Sequence, residues 1–195
     1  MPKSLPLITT PAPERRDAAR NRAAVLDAAN ELIGQCGVHS LTMDALAAEA
    51  GVGKGTIFRR FGSREGLMAS LLNHAESEWQ AAAISGPPPL GPDAPAMDRL
   101  LAFGESRMRL HLKQAALIEE AGRTWEDNYA VTSFISLHVR HLLLQLGVSG
   151  DVGYLATALI APLSVPILRQ QLDHEGLSEE QVLAGWTDLV DRLTR

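Results

Sequence analysis

The stretch LTMDALAAEAGVGKGTIFRRFGSREGL, from Leu41 to Leu67, leaves few folds open. Its first ten residues read as a helix. Thr42 is a good N-cap, Asp44 lies in the first turn where the helix dipole favours a carboxylate, and Leu46 and Ala47 share one face. Gly51-Val52-Gly53 interrupts it. Lys54 to Phe61 is then two helical turns long, with Ile57 and Phe61 on one side and Lys54, Thr56, Arg59 and Arg60 on the other. Gly62-Ser63 ends that helix, and Ser63 can cap a further one running through Leu67, Leu71 and Leu72 to Trp79 or beyond. Helix, short glycine turn, helix is the layout of a helix-turn-helix.

Gly53-Lys54-Gly55-Thr56 also invites comparison with a phosphate-binding loop. That loop needs a glycine where Ala48 stands, a Ser or Thr where Gly55 stands, and a strand feeding it. A helix feeds this one. Nor does the chain offer paired carboxylates or a nucleophile triad. His138 and His141, three apart on one helix, lack a third ligand. We therefore expect no enzymatic activity, no cofactor and no metal.

No stretch shows the period-two alternation of a half-buried strand, so the chain is expected to be all-α, with about nine helices. Residues 1–14, with four prolines in the first thirteen, read as a disordered arm. Residues 15–62 would form a DNA-binding domain and 63–195 a helical regulatory and dimerisation domain. The first helix carries Val25, Ala28, Ala29, Leu32, Ile33 and Cys36 as its stripe and stops at Gly37. SGPPPLGPDAP, from Ser85 to Pro95, reads as a stiff linker. Helices are expected over Ala96–His111, Lys113–Arg123, Tyr129–Leu146 and Val152–Leu172. Pro162 and Pro166 should kink or break the last of these. Ser178 to Leu193 opens with SEEQ, a capping box.

The formal net charge of −5 argues at first against a nucleic-acid partner. The charge is uneven, however. Residues 1–79 hold nine basic and nine acidic residues, so the whole deficit lies beyond them. Within Ala50–Arg64 there are four cations and no acid, and Arg15, Arg16, Arg20 and Arg22 form a second basic cluster. A polyanion meets this local charge, not the average. The pattern fits a helix lying in a DNA groove; it also fits the solvated basic end of an ordinary helical corner. A single cysteine excludes an internal disulfide, and no apolar run approaches the roughly 18 residues of a membrane span. We expect a cytoplasmic protein.

The residues from Arg20 to Leu72 resemble the TetR family of bacterial transcriptional regulators. The likeness lies in Cys36-Gly37, in LTMDALA from Leu41, in AGVGKGTIFRRF from Ala50 and in SREGL from Ser63. The resemblance implies a homodimer that binds a near-palindromic duplex and answers to a small-molecule effector. It places Thr42, Thr56 and Arg64 at backbone phosphates and leaves Lys54, Arg59 and Arg60 to reach base edges. Phe58 stands where the family often has a tyrosine whose hydroxyl binds phosphate, so we read Phe58 as packing. A pocket is implied among the middle helices, with Phe103, Arg107, His111, Ile118, Glu119, Trp125, Tyr129, Phe134 and His138 as candidate liners, or as ordinary core and surface. The last helices would pair across the dimer through Tyr154, Leu155, Leu159, Leu163, Val182, Trp186 and Leu189, or else complete the core of a single chain. A DNA-binding protein without a sensor, working through a protein partner or architecturally, is the alternative.

Overall fold

The computed structural model describes residues 13–121 and 129–195; of Pro13–Arg20, Glu119 and residues 129–132 it describes the backbone only. The expected N-terminal arm therefore falls almost wholly outside the described residues. Among those residues the chain is all-α and divides into two compact units after Leu71.

The first unit holds α1 (Pro13–Cys36), a 3-10 turn (Val38–Ser40), α2 (Met43–Glu49), α3 (Lys54–Phe61) and the start of α4 (Arg64–Ser85). Gly37 has φ of 80° and Gly51 φ of 63°, a left-handed conformation that ends a helix and favours glycine. Thr42 caps α2 as its sequence position requires: its hydroxyl oxygen accepts from the Ala45 N–H at 3.1 Å. Leu41, Leu46, Ile57 and Leu67 are fully buried in this unit, joined by Val25, Ala29, Phe61 and Met68. Cys36 falls outside the α1 stripe and is exposed.

The second unit comprises the rest of α4, α5 (Ala96–Ala121), α6 (Tyr129–Gln145), α7 (Val152–Ile160), α8 (Val165–Arg169) and α9 (Glu179–Thr194). The expected break at Leu112 is absent, and α5 is one continuous helix, because no glycine or proline interrupts RLHLKQA. Both prolines act as anticipated. A 3-10 turn at Ala161–Leu163 separates α7 from α8, and the two halves bend by 48°. A π-helical turn, Gln170–His174, follows α8. The capping box of α9 is complete: the Gln181 N–H donates to Ser178 Oγ, and the Ser178 N–H donates to Gln181 Oε1. Among the described residues no single helix is long and apolar enough to cross a membrane.

The core of this unit runs from Trp79 through Leu100, Phe103 and Leu142 to Trp186. Gly104 lets α5 approach α9, since a Cβ there would run into the Trp186 ring. The Trp186 indole N–H donates to the Leu159 carbonyl at 2.8 Å. Leu159, Leu163, Val182 and Trp186 are thus buried within one chain, which corrects the expectation that they face a partner. The apolar faces of α7 and α9 close on one another and on α5 first.

Candidate nucleic-acid interface

The outer surface of α3 is built by what its inner surface must bury. Ile57 and Phe61 are taken by the core. At 100° per residue, Arg59 then points almost directly away from them, with Gly55 and Thr56 to either side. Arg59 is exposed and Arg60 half-buried, and no described side chain forms an ion pair with either. Thr56 is half-buried. The face of α3 that carries Arg59 therefore offers guanidinium groups, which can pair bidentately with guanine.

Two of the candidate cations have local partners. Lys54 Nζ lies 2.7 Å from Asp44 Oδ1, with both groups more than half exposed, and 5.9 Å from the centre of the Phe58 ring. Exposed pairs of this kind contribute little and exchange readily for another anion. Arg64 behaves differently. Its guanidinium donates to the Val38 carbonyl at 2.7 Å and to the Leu41 carbonyl at 3.3 Å. It fastens the start of α4 to the turn before α2, so its fork is turned inward, away from the phosphate role expected for it. Arg22 donates to Ser70 Oγ at 2.9 Å and lies over the Phe61 ring. Of its expected cluster, Arg15, Arg16 and Arg20 have side chains outside the described residues. Phe58, expected to pack, is 42% exposed on this surface.

Residues 25–71 match the family described as bacterial regulatory proteins, tetR family. The first unit is a TetR-family helix-turn-helix domain. An HTH-type transcriptional regulator of Staphylococcus aureus (strain USA300) is 36% identical over 53 residues, which is 27% of this chain and 29% of the relative. The chain thus matches less than a third of the curated relatives' length. Likeness over the remainder is one of fold. NalD, the secondary repressor of the MexAB-OprM multidrug efflux pump in Pseudomonas aeruginosa, superposes with a TM-score of 0.53 at 17% identity, covering 91% of this chain and 95% of NalD. TetR-Q116A from Acinetobacter baumannii, in complex with minocycline, gives 0.56 at 17% identity, over 87% and 92% of the two chains. The α2–turn–α3 unit lies within the matched residues and has the layout of a helix-turn-helix.

The second unit gathers part of the expected effector set. Phe103, Phe134 and His138 come together around Trp79, with ring centres 5.7–6.4 Å apart. Arg107 stacks over the Trp79 ring at 4.6 Å and pairs with Glu76 at 2.6 Å, both groups buried. The Arg107 guanidinium also donates to His111 Nε2 at 2.8 Å, which leaves Nδ1–H of His111 to donate to the Leu163 carbonyl. Ile118 is half-buried along α5. The side chains of Glu119, Trp125 and Tyr129 lie outside the described residues. Trp79 and Glu76 were missed by sequence reading. A signal existed: Leu72, Glu76, Trp79 and Ala83 recur at spacings of four, three and four, a core stripe carrying one charge that demands a buried partner.

His138 Nε2 is buried with no hydrogen-bond partner among the described residues. Burial, helped by Arg99 and His141, holds the His138 pKa down at about 4. Burial and the Arg107 charge bring His111 to about 4 as well, against the pull of the Leu163 carbonyl. Both are neutral near pH 7. A histidine with a depressed folded-state pKa gives stability that is fully present above its unfolded pKa of about 6.5. That stability is lost as pH falls from 6.5 towards 4. Urea midpoints should therefore drop across this window, with His111 accounting for up to about 3 kcal/mol. His111→Gln, which keeps an acceptor and a donor but does not titrate, should flatten the profile. An unchanged profile in that variant would assign the loss elsewhere.

Proposed function

We propose that this chain is a homodimeric, sequence-specific transcriptional repressor, acting in the cytoplasm, that leaves its operator when a small-molecule effector binds. The observation that carries the reading is the outer face of α3, where Arg59 stands opposite the buried Ile57 and Phe61 with the half-buried Arg60 on its flank, neither in an ion pair among the described residues. Arg59, Arg60 and Lys54 reach base edges, with Lys54 leaving Asp44 to do so. Thr42 and Thr56 hold the backbone. The Thr42 oxygen is engaged as a cap, but its hydroxyl proton is available to a phosphate. A two-fold dimer presents two such helices about 34–36 Å apart, one turn of duplex, so the operator is a near-palindrome.

The dimer face draws on what α7 and α9 leave uncovered: Tyr154, 73% exposed, with the half-buried Leu155 and Leu189. Leu183, Ala184 and Thr187 line a shallow groove on α9 whose rim is Glu180, Asp188 and Asp191. Small residues there allow a partner helix to approach closely.

The effector reading rests on the ring cluster of Trp79, Phe103, Phe134 and His138. The His138 nitrogen, unpaired among the described residues, carries a desolvation penalty of roughly 1–3 kcal/mol that a ligand's polar group would relieve. A flat, mainly apolar molecule with one hydrogen-bonding group would match the chemistry of these side chains. The minocycline bound to the Acinetobacter baumannii TetR variant and the repressor role of NalD give the reading precedent on this fold. One helix, α4, supplies Arg64 to the first unit's contacts and Glu76 and Trp79 to the second's, so effector binding can be felt at the reader. The differential affinity of the effector for the two states sets how far it can do so.

The test is operator selection with the purified full-length chain, followed by binding measurements on single-base variants. Arg59→Ala should weaken the selected operator by about 1–3 kcal/mol and relax preference at one base pair per half-site. An equal loss on every sequence would instead place Arg59 at a phosphate, and no selected sequence at all would overturn the proposal.

A further inference from the structure

We propose that Phe58 reads the 5-methyl group of a thymine, beside the base pair that Arg59 contacts. The inference rests on α3 entering the major groove as a sequence reader. Phe58 is 42% exposed on a helix whose core positions are already filled by Ile57 and Phe61. A phenyl ring neither donates nor accepts a strong hydrogen bond, so it gains only from apolar contact. Base edges in the major groove are donors and acceptors, with one prominent apolar exception, the thymine C5-methyl.

The neighbours of Phe58 favour that contact. Gly55, three residues earlier and next to it on the helix surface, carries no side chain, and a Cβ there would meet nothing within 4 Å. The helix backbone can therefore come close to the base edges beside the ring. On the other flank stands Lys54, which pairs with Asp44 at 2.7 Å while no DNA is bound. The ring thus stands between an ammonium and an open gap, with Arg59 across the gap. An apolar ring and a guanidinium at adjacent positions match a thymine next to a guanine, one offering its methyl and the other its O6 and N7.

The experiment uses the full chain and its selected operator, with each thymine replaced in turn by deoxyuridine, which removes the methyl alone. At one position per half-site the substitution should weaken binding of the unaltered protein roughly fourfold, the effect of one buried methyl group. Phe58→Ala should bind the thymine and deoxyuridine operators equally, while its thermal midpoint and the salt dependence of its binding stay those of the parent. Discrimination at no thymine, or discrimination that survives in Phe58→Ala, would overturn the proposal. A uniform loss on all sequences in Phe58→Ala would assign the ring to the sugar-phosphate backbone and overturn it too. Failure to select any operator would remove the regulator reading along with this one, whereas an operator indifferent to thymine methyls removes this one alone.

Discussion

Arg107→Ala should lower the free energy of unfolding by about 3–5 kcal/mol, the range for breaking a buried ion pair. Arg107 and Glu76 are 4% and 3% exposed and 2.6 Å apart, so removing the guanidinium leaves a carboxylate in the core. The same change strips a donor from His111 and a cation from the face of Trp79. Gln80 donates to the other Glu76 oxygen at 3.1 Å, which offsets only part of the loss. Replacing both members, as Glu76→Leu with Arg107→Met, should recover most of it. The apolar pair carries no buried charge, and methionine can still lie across the indole. Urea denaturation of the two variants decides the matter. A loss below about 1 kcal/mol in Arg107→Ala would mean that water reaches the pair.

Trp186→Ala should be of similar size, about 3–5 kcal/mol, for a different reason. The indole fills the space between α5 and α9, against Phe103 and over Gly104. Its loss opens a cavity that the helices cannot easily collapse, and it leaves the Leu159 carbonyl without its donor. The outcome separates core from dimer face. As a core residue, Trp186→Ala lowers the unfolding midpoint while the folded fraction keeps its oligomeric state in sedimentation. As a partner contact, it would yield a folded monomer with an almost unchanged midpoint. Tyr154→Ala provides the contrast, because that side chain is largely exposed and can affect only assembly.

The two units differ in how much of them local sequence could reveal. The helix-turn-helix was legible because its parts are short-range: Thr42 caps three residues on, Gly51 ends α2, and Ile57 and Phe61 are one turn apart. The bend in the penultimate helical stretch was legible too, since a proline's missing N–H acts on its own helix. Failures came where a side chain's partner lies far along the chain. Arg64 looks from its sequence neighbourhood like a free cation, yet its acceptors sit 23 and 26 residues earlier. Phe58 looks like a packing aromatic, but Ile57 and Phe61 already occupy the inward face of α3, and the helix phase turns Phe58 outward.

In the second unit, periodicity identified apolar faces but could not say what each one covers. The stripes of α7 and α9 are the same whether they meet a second chain or their own α5. The groups around Trp79 are spread over α4, α5 and α6, and no local rule links Glu76 to Arg107, 31 residues away. The sequence by itself determined a helical layout with a glycine-hinged helix-turn-helix and a proline-broken helix, because helix period, caps and breakers act within a few residues. Only the tertiary structure decided which cations face outward, which apolar residues remain for a partner, and which rings surround His138. Those outcomes depend on long-range packing, and burial settles them by competition among all the faces at once.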